Sequence, residues 1–359
     1  MMKLENKNIL IISGEAWGPI WFSKHNYAWQ LSKKNKVFFL NPPKKFSLFN
    51  IFSPNLDSQP IAPNLTALTY KNVLPVKYKW LNALNEFYVF KKLRRYFESQ
   101  NISKLIFWTF DPIRLSAPEK LNSSFVILHA VDKYLFSYPS EEILCHKADI
   151  VFCVSKEIAD SFLKYTSKVH IIPHAIPSDE FLTPKPNPKN KLTALFAGTL
   201  DLRMDFEYLN YIIQKFPDIL FRFIGKINIR NEFVKKLADG GFVNAVFEGE
   251  KPFEEVKYDV QNADLCILFK DNSLNGNSIS SHKMLQYLAQ GKPVFCSELS
   301  QHKEIEDLLY MTNDKYKLEK LLRTFVEHGE NGDLVAKRIE YAKRHSFDTI
   351  LKKIEQLLN

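Results

Sequence analysis

Cysteine is scarce in this chain: Cys145, Cys153, Cys266 and Cys296 are the only four among 359 residues. They sit in apolar or helical surroundings, and no metal-ligand spacing joins them. They read as core thiols of a reducing cytoplasm. No run of about 18 apolar residues occurs, so no transmembrane helix is expected. Met1 to Asn6 is polar and leads straight into an apolar segment, so no signal peptide is expected. An internal repeat, a low-complexity tract and an Asp-x-Asp metal pair are all missing. So are the common nucleic-acid-binding signatures, which argues against a nucleic-acid partner.

What is present fits a folded protein of two ordinary domains: 45% hydrophobic and 25% charged residues. The net charge of +9 is unevenly placed. Residues 1–175 hold 23 Lys and Arg against 13 Asp and Glu, a net +10, while residues 176–359 hold 26 against 27, a net −1. The basic excess is densest between Trp80 and Phe97, where Lys91, Lys92, Arg94 and Arg95 stand beside Phe87, Tyr88, Phe90, Tyr96 and Phe97. A basic, aromatic helix of this kind can rest on an anionic membrane surface, or it can be a solvated helix with its aromatic side in the core.

Short apolar runs alternate with helical patterns. Asn8–Gly14, Val37–Leu40, Lys104–Trp108, Phe125–Leu128 and Ile150–Val154 read as buried parallel strands. Phe22 to Lys34 reads as a helix between the first two, and Ser155 as the cap of another after the last. Pro173, Pro177, Pro184, Pro186 and Pro188 then break the pattern, as a linker does. Alternation resumes at Leu192–Phe196, Leu220–Ile224, Ala245–Phe247, Leu265–Phe269 and Val294–Cys296, and the chain ends in one or two helices over 334–358. Strand–helix alternation on both sides of a linker predicts two doubly wound α/β units.

The segment from Asn277 to Val294 carries the strongest local signal. Ser280 and Ser281 are suited to cap a helix, Met284, Leu285 and Leu288 follow at helical spacing, and Gly291 with Pro293 stops it. A helix N-terminus offers unpaired N–H groups and partial positive charge to an anion. Lys283 in the first turn opposes that dipole unless a phosphate is bound. The segment is also consistent with an ordinary capped helix after a polar loop.

This segment, with Phe196-Ala197-Gly198-Thr199-Leu200, Phe223-Ile224-Gly225, Phe247-Glu248-Gly249 and Arg344-His345-Ser346-Phe347 in that order, resembles the GT-B glycosyltransferases. More narrowly it resembles the bacterial family 4-like (group 1) branch, where a small-residue loop, a basic residue and an EYLA-x-GKPV helix occur together. The resemblance spans nearly the whole chain. It implies an α/β GT-B fold: two Rossmann-like doubly wound domains facing a central cleft, with C-terminal helices crossing back to the first. On that plan residues 1–175 form an acceptor domain, 176–190 a Pro-rich linker, 191–335 the nucleotide-sugar domain, and 336–359 the returning helix.

The resemblance implies a metal-independent hexosyltransferase of the cytoplasm, peripheral at the inner face of the membrane. It would need no cofactor, would act with retention, and would pass sugar from a nucleotide-diphosphate donor to a glycan or lipid-linked acceptor in cell-surface polysaccharide synthesis. Donor contacts would come from Gly198, Arg203, Gly225, Lys226, Phe247, Ser280, Ser281, His282, Lys283 and Gln286. Gly198 allows close backbone approach, and Arg203 offers a planar fork to a diphosphate. In the first domain, His129 could contact the donor sugar and Asp132 could orient the acceptor hydroxyl or assist proton transfer. A satisfied core histidine and a helix cap are the alternatives. Trp17 and His25 could serve the acceptor or support their loop.

The chain departs from the family's two glutamates separated by seven residues. Ser278 stands at the first position and Gln286 at the second, where the carboxylate holds ribose hydroxyls. These departures leave open a sugar-nucleotide epimerase or a non-catalytic sugar-nucleotide or glycan-binding protein of the same fold.

Overall fold

The structure is a computed structural model that describes residues 3–44, 56–72, 74, 79–131, 139–183, 191–271 and 282–358. Asp132, Ser278, Ser280 and Ser281 lie outside the described residues, as do Pro184, Pro186 and Pro188. The chain divides into two compact units, Met1–Pro173 with Leu351–Asn359, and His174–Ile350.

Unit 1 opens with β1 (Asn8–Ile12), α1 (Ser23–Ser32) and β2 (Lys36–Leu40), then β3 (Asp57–Ala62) and β4 (Leu65–Thr69). The long α2 (Lys79–Ser99) precedes β5 (Leu105–Thr109), β6 (Ser123–Ala130), α3 (Pro139–Lys147), β7 (Ile150–Cys153), α4 (Lys156–Phe162) and β8 (Val169–Ile171). Ile9 to Ile12 are fully buried, as expected of a central strand in a parallel sheet covered on both faces. The strand order is β3-β4-β2-β1-β5-β6-β7-β8. Only β3 runs antiparallel, along the edge of β4. Its sequence, DSQPIA, is polar and interrupted by Pro60, which an edge strand tolerates and a central one does not.

Unit 2 repeats the plan with β9 (Thr193–Ala197), α5 (Phe206–Lys215), β10 (Leu220–Ile224), α6 (Glu232–Ala238), β11 (Ala245–Gly249) and α7 (Phe253–Asn262). There follow β12 (Leu265–Leu268), α8 (His282–Ala289), β13 (Val294–Cys296), β14 (Tyr310–Met311), α9 (Lys315–His328) and α10 (Gly332–Arg344), and then α11 (Phe347–Leu357), which passes from unit 2 into unit 1 at Leu351. The strand order β11-β10-β9-β12-β13-β14 is all parallel. Asp205 and Asn231 cap α5 and α6 by accepting from the Tyr208 and Val234 backbone N–H groups at 2.8 and 2.9 Å.

In both sheets the chain reverses its direction of strand addition beside the first strand. In unit 1 this falls between β1 and β5, in unit 2 between β9 and β12. The crevice beyond the carboxyl ends of such a pair is where open α/β sheets bind ligands. Near the C-terminus, Ile350, Ile354 and Leu358 are buried at helical spacing. Residues from Leu351 onward belong to unit 1, where Glu355 accepts from the Leu4 N–H at 2.7 Å and Lys353 donates to the Ile171 carbonyl at 3.0 Å. Among the described residues no helix is long and apolar enough to cross a membrane.

Candidate functional site

The switch point of unit 2 is built around a missing side chain. Gly198 follows β9 with φ +156°, and a Cβ placed there would lie 1.7 Å from the Lys283 Nζ and 2.0 Å from its Cε. The Lys283 side chain therefore lies across Gly198, with its ammonium 4.9 Å from the centroid of the Phe196 ring. Gly225, at the end of β10, has φ +134°, and a Cβ there would meet the Gly198 carbonyl oxygen at 2.1 Å. Both glycines are dictated by close approach of backbone and ammonium.

The loop after Gly198 brings two more cations to the same place. Asp205 N–H donates to the Phe269 carbonyl at 3.3 Å and Asp271 N–H to the Arg203 carbonyl at 2.9 Å, so the loop runs against the end of β12. That pairing sets Arg203 beside Lys270. Arg203 Nε donates to both oxygens of Asp201, at 3.0 and 3.1 Å, and Nη2 also donates to Oδ2. Lys270 is 7% exposed, and its backbone exchanges hydrogen bonds with the Ser297 hydroxyl at 2.7 and 3.0 Å.

Three cations thus crowd one carboxylate. Burial pushes the Lys283 ammonium down to about 7, and the neighbouring charge of Lys270 adds to the effect. Burial and Arg203 push Lys270 down to about 8. Burial alone would raise the Asp201 carboxyl, but its bonds to Arg203 hold it below its ordinary value. Among the described residues no acceptor lies within hydrogen-bond distance of the Lys283 or Lys270 ammonium. Three basic groups that share a single carboxylate leave positive charge that a multivalent anion would complement.

Helix α8 is held in place by its buried side. The Tyr287 hydroxyl accepts from the Ala197 N–H at 2.9 Å, tying the helix to the end of β9. His282 shares a hydrogen bond of 3.1 Å between Nε2 and the Ala175 carbonyl. Burial, reinforced by His174, lowers its pKa to about 3, so the ring is neutral and Nε2 is the donor. Lys292, the lysine of the GKPV turn, donates to the Gln261 and Ala263 carbonyls at 2.8 and 2.6 Å and closes the end of α7. The buried Arg338 donates to the Gly291 carbonyl at 3.3 Å beyond the other end of α8.

The remaining residues expected at the donor site are spread more widely. Lys226 is exposed, and its carbonyl accepts from the Leu200 N–H at 2.8 Å. Phe247 is half-buried against the core, beside Glu248, which accepts from Arg222. Gln286 is buried and donates through Nε2 to Glu180 Oε1 at 3.4 Å.

In unit 1 the expected site residues are engaged in packing. His129 is fully buried, with Phe110, Tyr27, Phe152 and Trp108 around its ring at centroid distances of 4.7, 5.0, 5.6 and 6.1 Å. A ring so enclosed is part of an aromatic core. His25 Nδ1 accepts from the Phe22 N–H at 3.1 Å, and Nε2 bonds the Ala16 carbonyl at 3.0 Å. With both nitrogens taken and burial lowering its pKa to about 4, His25 holds the loop after β1 and offers no nitrogen to an acceptor. Trp17 is half-buried, packing on Phe39, Trp21 and His25 at 5.0, 5.3 and 5.4 Å.

The switch point of unit 1 is occupied by Arg114. Its Nε donates to Asp111 Oδ2 at 2.6 Å, Nη1 to the Tyr70 hydroxyl at 2.7 Å and the Asn41 carbonyl at 3.4 Å, and Nη2 to the Ser13 carbonyl at 2.5 Å. Lys270, Asp201, Glu180 and the Arg114–Asp111 pair were not singled out from the sequence. Lys270 alone left a trace there, as a lone cation closing the apolar run Leu265–Phe269.

Two Rossmann-like units, with the last residues returning to the first, make up the GT-B fold. Solved structures share it over the full length of the chain. A sucrose-phosphate synthase from Thermosynechococcus elongatus superposes with a TM-score of 0.69 at 12% identity, over 98% of each chain. Anabaena HepE, solved in complex with UDP and glucose, gives 0.68 at 12% identity, also over 98% of each. The lipopolysaccharide outer core galactosyltransferase WaaB gives 0.58 at 14% identity, over 98% of this chain and 99% of its own. No family model matches the sequence, and no curated protein matches it in a sequence search.

Proposed function

We propose that the protein is a glycosyltransferase that takes a sugar from a nucleoside-diphosphate donor bound in unit 2. The observation that carries this reading is the group of Lys283, Lys270 and Arg203 around Gly198, with Asp201 as their carboxylate, at the switch point of a Rossmann-like sheet. A diphosphate leaving group gains charge as the glycosidic bond to it breaks. Cations already fixed in a partly dehydrated site stabilise that charge without reorganising. The fold likeness to HepE, solved with UDP and glucose, and to sugar-phosphate synthases supports the donor class. The acceptor is a glycan or lipid-linked glycan of cell-surface polysaccharide synthesis. Transfer proceeds with retention, without a metal.

A thermal-shift screen of UDP-, GDP-, dTDP- and ADP-sugars tests the donor. A ligand present at about 100 times its dissociation constant adds roughly 2.7 kcal/mol to stability. No shift with any of the four would contradict a nucleotide-sugar donor.

On this reading the acceptor side meets the membrane through α2. Its exposed face carries Leu84, Phe87 and Tyr88, then Lys91, Arg94 and Arg95. Each basic residue near an anionic surface contributes about 1 kcal/mol. Reversal of Lys91, Lys92, Arg94 and Arg95 to Glu is expected to abolish sedimentation with anionic vesicles at moderate salt and to leave donor affinity intact. Wild-type protein that stays in the supernatant would point to a soluble acceptor.

The replacement of the ribose-holding carboxylate by Gln286 favours a second reading, a binding protein of this fold without transferase activity. Donor binding without sugar transfer or hydrolysis under any acceptor mixture would select it.

A further inference from the structure

Glu180 lies in the short turn Ser178–Glu180 of unit 2 and is 1% exposed. Its Oε2 has no hydrogen-bond partner, and its Oε1 receives only the Gln286 Nε2, at 3.4 Å. Lys257, the cation whose charge acts on it, is committed to Asp179 Oδ2 at 2.6 Å. The charged groups acting on Glu180 are therefore Asp179, which repels its charge, and Lys257, which is already paired. A buried carboxyl with one long hydrogen bond and no ion pair stabilises nothing around it, and such a group calls for a functional reason.

Its one polar contact supplies that reason. An ionised carboxylate only accepts, so it fixes which end of the Gln286 amide faces it: the NH2 group. The amide oxygen must then face the opposite way. Gln286 stands one turn along α8 from Lys283, on the helix that carries the proposed diphosphate site.

We infer that Glu180 is a positioning residue that holds the Gln286 amide so that its oxygen accepts from a ribose hydroxyl of the bound nucleoside diphosphate. This rests on the donor-site reading above. Burial, with Asp179 beside it, pushes the Glu180 carboxyl up to about 7. Above that pH the carboxylate accepts from Nε2 and the amide oxygen is presented to the ribose. Below it the protonated carboxyl donates to that oxygen instead and competes with the ribose.

The test is calorimetry of UDP and GDP, each against its 2′-deoxy and 3′-deoxy forms, at pH 6 and pH 8. In the wild type the preference for a ribose hydroxyl should be clear at pH 8 and weak at pH 6. Glu180→Leu should lower that preference about five-fold, the worth of one neutral hydrogen bond. Glu180→Gln cannot ionise, so its ribose preference should be the same at both pH values. That removal of pH dependence by an isosteric change is not expected of a merely structural residue. A ribose preference unchanged by Glu180→Leu at both pH values, with melting temperature intact, overturns the inference and leaves the donor site standing. Wild-type protein that binds neither UDP nor GDP overturns both.

Discussion

At the switch point of unit 1, Arg114 makes four hydrogen bonds to acceptors of its own domain. At the switch point of unit 2, neither lysine ammonium meets an acceptor among the described residues. The same topology thus ends in a closed charge network in one sheet and an open one in the other. A buried charge that is fully partnered is part of the framework. Cations gathered around a glycine with one carboxylate among them carry a desolvation cost that a bound anion would offset.

The sharpest way to break this contrast is to remove a cation from each crevice. Arg114→Met leaves Asp111 buried without its partner. Breaking a buried pair in this way costs about 3–5 kcal/mol, so the midpoint of urea denaturation should fall markedly while donor affinity of the folded protein stays the same. Lys270→Met should behave in the opposite way. Stability should hold or rise, and nucleoside-diphosphate affinity should fall through loss of a charge-assisted contact of about 1.5–3 kcal/mol, about 10- to 100-fold. If both variants lose stability alike, the two crevices are equivalent and the contrast fails.

A finer test uses protons. Lys283 and Lys270 have folded pKa values of about 7 and about 8, below their unfolded value near 10.5. Their contribution to stability is unpenalised above that unfolded value and is lost as pH falls toward the folded values. Between about pH 10 and pH 7 the free protein should therefore lose stability from these two groups. A bound diphosphate favours the charged ammonium, so binding at pH 8 should take up a fraction of a proton. The heat of binding in buffers of different ionisation enthalpy measures it. Lys283→Met should reduce that uptake, and Arg114→Met should leave it unchanged.

Much of this architecture was legible in the sequence because parallel strands covered on both faces are continuous apolar runs. Ile9 to Ile12, Leu105 to Trp108 and Leu265 to Leu268 carry that pattern without interruption. The strands that escaped are those that packing alone justifies. β3 is polar and contains Pro60, β4 is the threonine-bearing LTALT beside it, and β8 and β14 have three and two residues. At the site, Gly198, Arg203 and Lys283 were legible because strand-end glycines and helix starts have local signatures. Lys270 and Glu180 were not. Their character comes from burial beside residues distant in sequence: Arg203 and Lys283 for the one, Gln286 for the other. His129 and His25 taught the converse. Each stands where a polar group near a strand end suggests chemistry, yet aromatic neighbours and backbone partners from elsewhere enclose them.

The central claim is that the ammonium lying across Gly198 belongs to the diphosphate. Titration of UDP and GDP into wild type and Lys283→Ala, with circular dichroism to confirm the fold, tests it most directly. Loss of the charge-assisted contact, worth about 1.5–3 kcal/mol, predicts about 10- to 100-fold weaker binding with unchanged secondary structure. A folded Lys283→Ala variant that binds the nucleotide as tightly as wild type would contradict it and move the diphosphate away from this crevice.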